Sequence, residues 1–318
     1  MARCFVTRKL PGTALERLAA EHDLDLWAES APPPRELLIE HASEADALLS
    51  QLTERVDGGL LDACPRLVAV ANYAVGVDNV DLPAATERGV PVGNTPGVLT
   101  DATADLAWAL MLSAARRLPE AERAVRGGGW SWEPDFLLGV ELSGTTLGIV
   151  GMGRIGSAVA ARAAGFGMQV IHTSRDGGVP LGELLERSDF VSLHAPLRAE
   201  TRGLIGEDQL RRMKPSAILV NTARGPLIDT DALVRALSEG WIAGAALDVT
   251  DPEPLPTDHP LLTCPGLVIA PHIGSATHRT RAAMADLAVD NLLAALRGER
   301  MPHCANPEVY EGAIRPAP

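Results

Sequence analysis

The chain has no long hydrophobic run. Nothing in its 318 residues approaches the roughly 20 consecutive apolar positions that a membrane-spanning helix needs. The start, Met1-Ala2-Arg3-Cys4-Phe5-Val6, reads straight into a strand and lacks the apolar segment and small-residue cleavage site of a signal peptide, so a cytoplasmic protein is expected. Cysteine is scarce. Cys4, Cys64, Cys264 and Cys304 are scattered, with neither the paired spacing of a zinc site nor the framework of a disulfide scaffold, which fits structural thiols in a reducing compartment. Positive charge is in deficit as well. The 28 Lys and Arg face 41 Asp and Glu, for a net charge of −13, and form no basic tract, so neither nucleic acid nor an anionic membrane is an expected partner. An anionic substrate would then need a locally basic pocket.

What is present is the composition of a globular protein, 46% hydrophobic with ordinary charged content. A chain of this length exceeds the usual single core, so two domains of about 150 residues are expected. From 146 to 270 apolar runs alternate with helical patterns, the rhythm of a doubly wound parallel sheet. Strands are predicted over 146–150, 170–173, 190–193, 217–221, 242–249 and 267–270, and helices over 157–164, 207–213 and 230–239. Six strands suit a Rossmann sheet. The first 95 residues repeat a shorter α/β rhythm, with strands over 3–7, 24–27, 47–50, 67–71 and 90–93, and read as a flavodoxin-like domain. The run 101–118 lacks a clean polar face and reads as a helix buried on several sides, bridging domains or subunits. A long helix over 277–296 could carry the chain back to the first domain. The expected organisation is α/β with two Rossmann/flavodoxin-like domains and the active site in the cleft between them. Residues 98–287 would bind the dinucleotide, and 1–97 plus 288–318 the substrate. Between them, Gly127-Gly128-Gly129-Trp130-Ser131-Trp132 reads as a loop with aromatic tips, because three glycines disfavour regular structure.

Gly151-Met152-Gly153-Arg154-Ile155-Gly156 follows the 146–150 strand and opens a helix, and another strand arrives on cue. In that setting the first glycine permits the turn, the second lets backbone approach a pyrophosphate, and the third lets helix and strand pack closely. The helix N-terminus adds amides and positive dipole. An NAD enzyme places Asp or Glu at the end of the next strand to bind the ribose, whereas here that strand runs into Ser174-Arg175. Arg175 offers a fork for a 2′-phosphate and Ser174 a hydroxyl, which favours NADP(H). NAD(H) stays open, since Asp176 could swing in to the ribose.

Three polar residues follow three successive predicted strands: Arg224, Glu253 within Asp251-Pro252-Glu253-Pro254, and His272 within Pro271-His272-Ile273-Gly274-Ser275. In an open α/β sheet ligands collect beyond the strand carboxyl ends. A carboxylate bonded to an imidazole favours imidazolium and fixes its orientation, which suits a proton donor near neutral pH. A guanidinium could grip a substrate carboxylate through two parallel bonds. Singly each has a bland reading, a capping histidine or a surface cation, but packing does not readily explain their convergence.

These residues, with the strings Leu247-Asp248-Val249-Thr250, Pro252-Glu253-Pro254-Leu255-Pro256, His259-Pro260-Leu261-Leu262 and Pro271 through Thr280, resemble the D-isomer-specific 2-hydroxyacid dehydrogenases over nearly the whole chain. Within that family they are most similar to glyoxylate and hydroxypyruvate reductases. The resemblance implies hydride transfer from C4 of the reduced nicotinamide to a 2-oxo carbon while His272 protonates the oxygen, Glu253 sustains its charge and Arg224 holds the carboxylate. It further implies that Val75 and Gly76, in Val75-Gly76-Val77-Asp78, and Ser275 contact substrate. Thr222, Asp248 and His272 would lie by the nicotinamide, and Trp132 would reach the pocket of a neighbouring subunit in a homodimer. A phosphoglycerate or other D-hydroxyacid dehydrogenase is the alternative, weakened by an end at residue 318 without an added regulatory domain. Formate dehydrogenase fits poorly, because Glu253 is intact. The same scaffold could also serve as a nucleotide-sensing corepressor or binding module.

Overall fold

The computed structural model describes all residues except Gly129, Ala313 and Pro316–Pro318, so one position of the aromatic-tipped loop and parts of the 288–318 segment lie outside the described residues. The chain forms two compact units, Met1–Leu99 with Ser275–Pro318, and Thr100–Gly274.

The first unit holds a five-stranded parallel sheet: β1 (Arg3–Val6), β2 (Asp23–Leu26), β3 (Ala47–Ser50), β4 (Ala69–Asn72) and β5 (Val92–Gly93), in the order β2-β1-β3-β4-β5. Helices cover both faces, so β3 and β4 are buried at every position and read in sequence as apolar runs closed by one polar residue, Ser50 and Asn72. The helix His278–Leu296 packs on β3, β4 and β5 and buries its asparagine Asn291 completely. Asn291 donates to the Asn94 carbonyl at 3.0 Å and accepts from the His303 amide at 2.9 Å. That packing places the whole helix with the first unit, so the return boundary falls at Ser275 where the sequence suggested 288.

The second unit carries β6 (Thr146–Val150), β7 (Gln169–Ser174), β8 (Gly177–Gly178), β9 (Phe190–Leu193), β10 (Ile218–Asn221), β11 (Gly244–Leu247) and β12 (Leu267–Ile269), in the order β12-β11-β10-β9-β6-β7-β8. Six strands are parallel and β8 pairs antiparallel with β7. This seventh strand escapes the sequence because two glycines carry no apolar signal. The winding direction reverses between β9 and β6, and the glycine loop lies there.

The helix predicted over 101–118 forms as Thr100–Ala115; it stops short of Arg117, which takes a left-handed φ of 51°, and a separate helix, Leu118–Arg126, follows. The first packs on the helix Arg154–Ala163 and on β10 and β11, and Trp108 donates to the Val159 carbonyl at 3.1 Å. Its missing polar face is thus accounted for inside the second unit. No helix among the described residues is long and apolar enough to cross a membrane.

Candidate active site

The nucleotide cradle forms as its glycines require. Gly151 has φ +98°, and a Cβ there would stand 2.7 Å from backbone atoms of His194 and Ala195, the loop after the neighbouring strand β9. A Cβ at Gly156 would run into the Gly151 carbonyl, so helix and strand can close only on glycine. Gly153 is the N-cap of Arg154–Ala163, offers no side-chain cap, and has open space where a side chain would project. The start of that helix, with Arg154 and Ile155 in its first turn, therefore keeps room and amides for an anion. Thr222 adds a buried hydroxyl with no hydrogen-bond partner among the described residues. A pyrophosphate-bearing dinucleotide fits these donors.

At the far end of the cradle, Ser174 is the last residue of β7 and donates to the Gly177 carbonyl at 3.2 Å. Arg175 and Asp176 make the exposed two-residue turn into β8. Both remain available to the end of a dinucleotide.

The Glu253–His272 pair is assembled from loops 19 residues apart in sequence. Glu253 Oε1 lies 2.6 Å from His272 Nδ1, and Glu253 Oε2 accepts from the Thr250 amide at 3.3 Å. Burial pushes the Glu253 carboxyl upward, but the His272 hydrogen bond and charge, the Thr250 amide and the Arg224 charge outweigh it and hold the pKa below the usual range. Glu253 thus stays a carboxylate and holds the ring through Nδ1, with Nε2 outside this bond. Arg224 follows β10 in extended backbone, with its Nη1 donating to the Ala223 carbonyl at 2.8 Å. Its loop is pinned by fully buried Asn221, which donates to the Arg224 carbonyl at 2.8 Å and accepts from the Ala223 amide at 3.0 Å. Next to it, a Cβ on Gly225 would meet the Thr250 carbonyl, so the Arg224 and Glu253 loops pack backbone to backbone.

Asp248, expected near the nicotinamide, also has a mechanical part. It is 1% exposed, and its two oxygens accept the Ile273 and Gly274 amides, each at 2.7 Å, while its carbonyl accepts the His272 amide at 2.8 Å. His272 sits at φ +55°, a conformation unusual for a side-chain-bearing residue that persists when its surroundings over-determine it. The Asp248 clamp supplies that constraint. Asp248→Asn presents an NH2 to one of the two amides and is expected to cost about 1–3 kcal/mol of stability. It should also lower kcat at least about tenfold. Thermal unfolding and steady-state kinetics check both, and a kcat near wild type would show that the His272 loop needs no clamp.

In the first unit, the Val75 carbonyl accepts from Asn94 Nδ2 at 2.9 Å and the Gly76 carbonyl from Asn72 Nδ2 at 3.0 Å. The amides of both residues donate to no acceptor among the described residues. Ser275 opens the second segment of this unit and is partly buried. Trp132 stands 81% exposed on the chain.

Sequence reasoning passed over the buried asparagines and His194. Asn72 and Asn221 each end a strand, and a polar amide closing an apolar run at a strand carboxyl end is the signal that could have found them. His194 follows β9, and its Nε2 lies 2.8 Å from Ser192 Oγ. Burial pushes its pKa down to about 4, so it backs the glycine loop as a neutral ring.

A nucleotide cradle and a carboxylate–imidazole pair beyond the carboxyl ends of one parallel sheet are the working parts of a dinucleotide-dependent oxidoreductase, and that is the class defined here. Comparison with known proteins narrows it. Residues 108–274 match the D-isomer specific 2-hydroxyacid dehydrogenase, NAD binding domain, family. The glyoxylate reductase of Korarchaeum cryptofilum is 52% identical over 99% of this chain and 98% of its own, and that of Aeropyrum pernix 51% identical over 97% of each. The crystal structure of the TT0316 protein from Thermus thermophilus superposes with a TM-score of 0.90 at 50% identity, covering 95% of this chain and 99% of that one. An NADPH-dependent glyoxylate/hydroxypyruvate reductase from Sinorhizobium meliloti, solved with NADP and malonate, gives a TM-score of 0.83 at 35% identity over 96% and 97%. The chain belongs to the D-isomer-specific 2-hydroxyacid dehydrogenases.

Proposed function

We propose that this protein reduces small 2-oxo acids, glyoxylate and hydroxypyruvate, to glycolate and D-glycerate. The observation that carries the proposal is the 2.6 Å bond between Glu253 and His272 beside the Arg224 loop, on the sheet edge that also holds the glycine cradle. A bound reduced nicotinamide dinucleotide supplies the hydride. His272 then holds the proton that neutralises the developing alkoxide, and Glu253 keeps the ring oriented and stabilises its charge. Arg224 binds the substrate carboxylate, with the Val75 and Gly76 amides and the Ser275 hydroxyl as further carboxylate contacts. The support for the amides is that the first unit spends their carbonyls and not their N–H groups. Trp132, exposed on a single chain, is proposed to enter the partner's pocket in a homodimer.

Oxidation of NADPH and of NADH, followed by absorbance with glyoxylate, hydroxypyruvate, pyruvate and phosphohydroxypyruvate, tests substrate and cofactor together. Glyoxylate and hydroxypyruvate with NADPH should give the highest kcat/KM. Turnover confined to phosphohydroxypyruvate, or cofactor binding without turnover of any 2-oxo acid, would overturn the reading.

NADP(H) is the proposed cofactor because β7 ends in Ser174 and runs directly into Arg175, with no carboxylate at the strand end. Removing one charge-assisted bond to phosphate costs about 1.5–3 kcal/mol. Arg175→Ala should therefore lower kcat/KM for NADPH roughly tenfold to a hundredfold and leave that for NADH within about twofold. Equal losses with both cofactors would place the 2′-phosphate elsewhere.

A further inference from the structure

In the first unit the winding direction reverses between β1 and β3, and a doubly wound sheet leaves a crevice beyond its carboxyl ends at such a point. A cleft of about 480 Å³ lies there, within the size range of small-molecule sites. Arg8 and Lys9 enter it after β1, Ser30 after β2, Gln51 after β3 and Tyr73 after β4, and Arg281 enters from the first turn of the helix His278–Leu296. Every wall belongs to the first unit, and none is a residue assigned above to cofactor or 2-oxo acid.

The charges of the cleft do not balance. Arg8 is committed: it donates to the Thr7 carbonyl at 2.7 Å and lies 3.5 Å from Glu54, which is 2% exposed and further held by Thr7 Oγ1 and the Gln51 amide. Lys9 and Arg281 then face one carboxylate, the exposed Glu29, in a chain whose net charge is −13. The Nε of Arg281 is buried and has no hydrogen-bond partner among the described residues. Buried donors are nearly always paired, and an unpaired one costs stability unless something accepts from it. The Tyr73 hydroxyl donates to the Arg281 carbonyl at 2.7 Å and fixes the helix start, and burial raises its pKa to about 12, so it stays neutral. The helix N-terminus beside Arg281 adds positive potential to the same crevice.

We propose that the first unit carries a second binding site at this switch point, for a small metabolite anion with at least two negative charges, such as a phosphate ester or a polycarboxylate. Arg281 and Lys9 supply the charge, and Gln51 and Ser30 supply neutral donors. This inference does not depend on which 2-oxo acid is reduced.

Calorimetric titration of the full-length protein with inorganic phosphate, glycerol 3-phosphate and citrate tests it. Wild type should bind at least one of these at a single site, with affinity falling as salt rises, and the anion preferred separates phosphate from carboxylate recognition. Arg224→Ala should retain that affinity within about twofold, whereas Lys9→Gln with Arg281→Gln should lose at least about tenfold, the equivalent of one charged contact. Lys9 is exposed, so Lys9→Gln alone gives a readout that does not depend on refolding the cleft, and its affinity should fall severalfold. No binding by wild type would overturn the site. So would binding lost in Arg224→Ala but kept in the double variant, which would assign the anion to the reaction centre.

Discussion

Replacing His272 with alanine should lower kcat by about 10²–10⁴-fold, the range that positioned general acid catalysis contributes, while the dissociation constant for NADPH changes no more than a few fold. The two effects separate because the glycine cradle is built at the end of β6 and owes nothing to the imidazole. The substitution also takes the 2.6 Å partner from the solvent-accessible Glu253 carboxylate, so a loss of stability of no more than about 1 kcal/mol should accompany the kinetic defect. Because the folded pKa of Glu253 lies below its unfolded value, the pair's contribution is fully present above the unfolded pKa. It is lost as pH falls through the lowered folded one. Single-turnover reduction and equilibrium NADPH binding, measured at neutral pH where the pair is intact, decide the matter. A kcat within a few fold of wild type would remove His272 from the role of proton donor.

Arg224→Ala should reduce kcat/KM for glyoxylate by about 10²–10³-fold, with most of the loss in KM, because a carboxylate anchor is used in ground state and transition state alike. Arg224→Lys should recover only part of it, since an ammonium keeps the charge but cannot make two parallel bonds to a planar carboxylate. The loop itself should survive both changes, because Asn221 fixes it through the Arg224 carbonyl and the Ala223 amide rather than through the guanidinium. Initial rates across a wide substrate range for both variants are the measurement. A wild-type KM in Arg224→Ala would transfer carboxylate binding to other groups.

Much of the architecture was legible because buried parallel strands cannot hide. The runs at 146–150 and 190–193 end where β6 and β9 end, since both faces of such strands are covered and most of their side chains are apolar, the buried Ser192 being bonded to His194. The glycine fingerprint was equally readable, as each glycine answers a local steric demand. Other features left no local trace. The β7–β8 hairpin rests on two glycines without side chains to pattern, and the helix Leu118–Arg126 beyond the left-handed Arg117 is polar and buries no residue, so it gave no apolar signal. The extent of the long C-terminal helix and its return towards the first unit were readable, but the point at which the chain crosses back, Ser275 and not 288, was not, because that depends on the sheet its buried face meets.

At the site, residue types alone nominated Arg224, Glu253 and His272, because few side chains can grip a carboxylate or deliver a proton near neutral pH. The sequence by itself therefore determined the class of fold, the cradle and the chemistry on offer. Only the tertiary structure decided the contacts that make the chemistry specific: Glu253 on His272 across 19 residues, and Asp248 clamping a left-handed His272 loop across 25. It alone placed Arg281 beside Lys9 in a cleft of the first unit. The physical reason is shared. A parallel sheet gathers the ends of strands far apart in sequence onto one edge, so which side chains meet there depends on strand order and loop packing, and no local pattern in the chain encodes either.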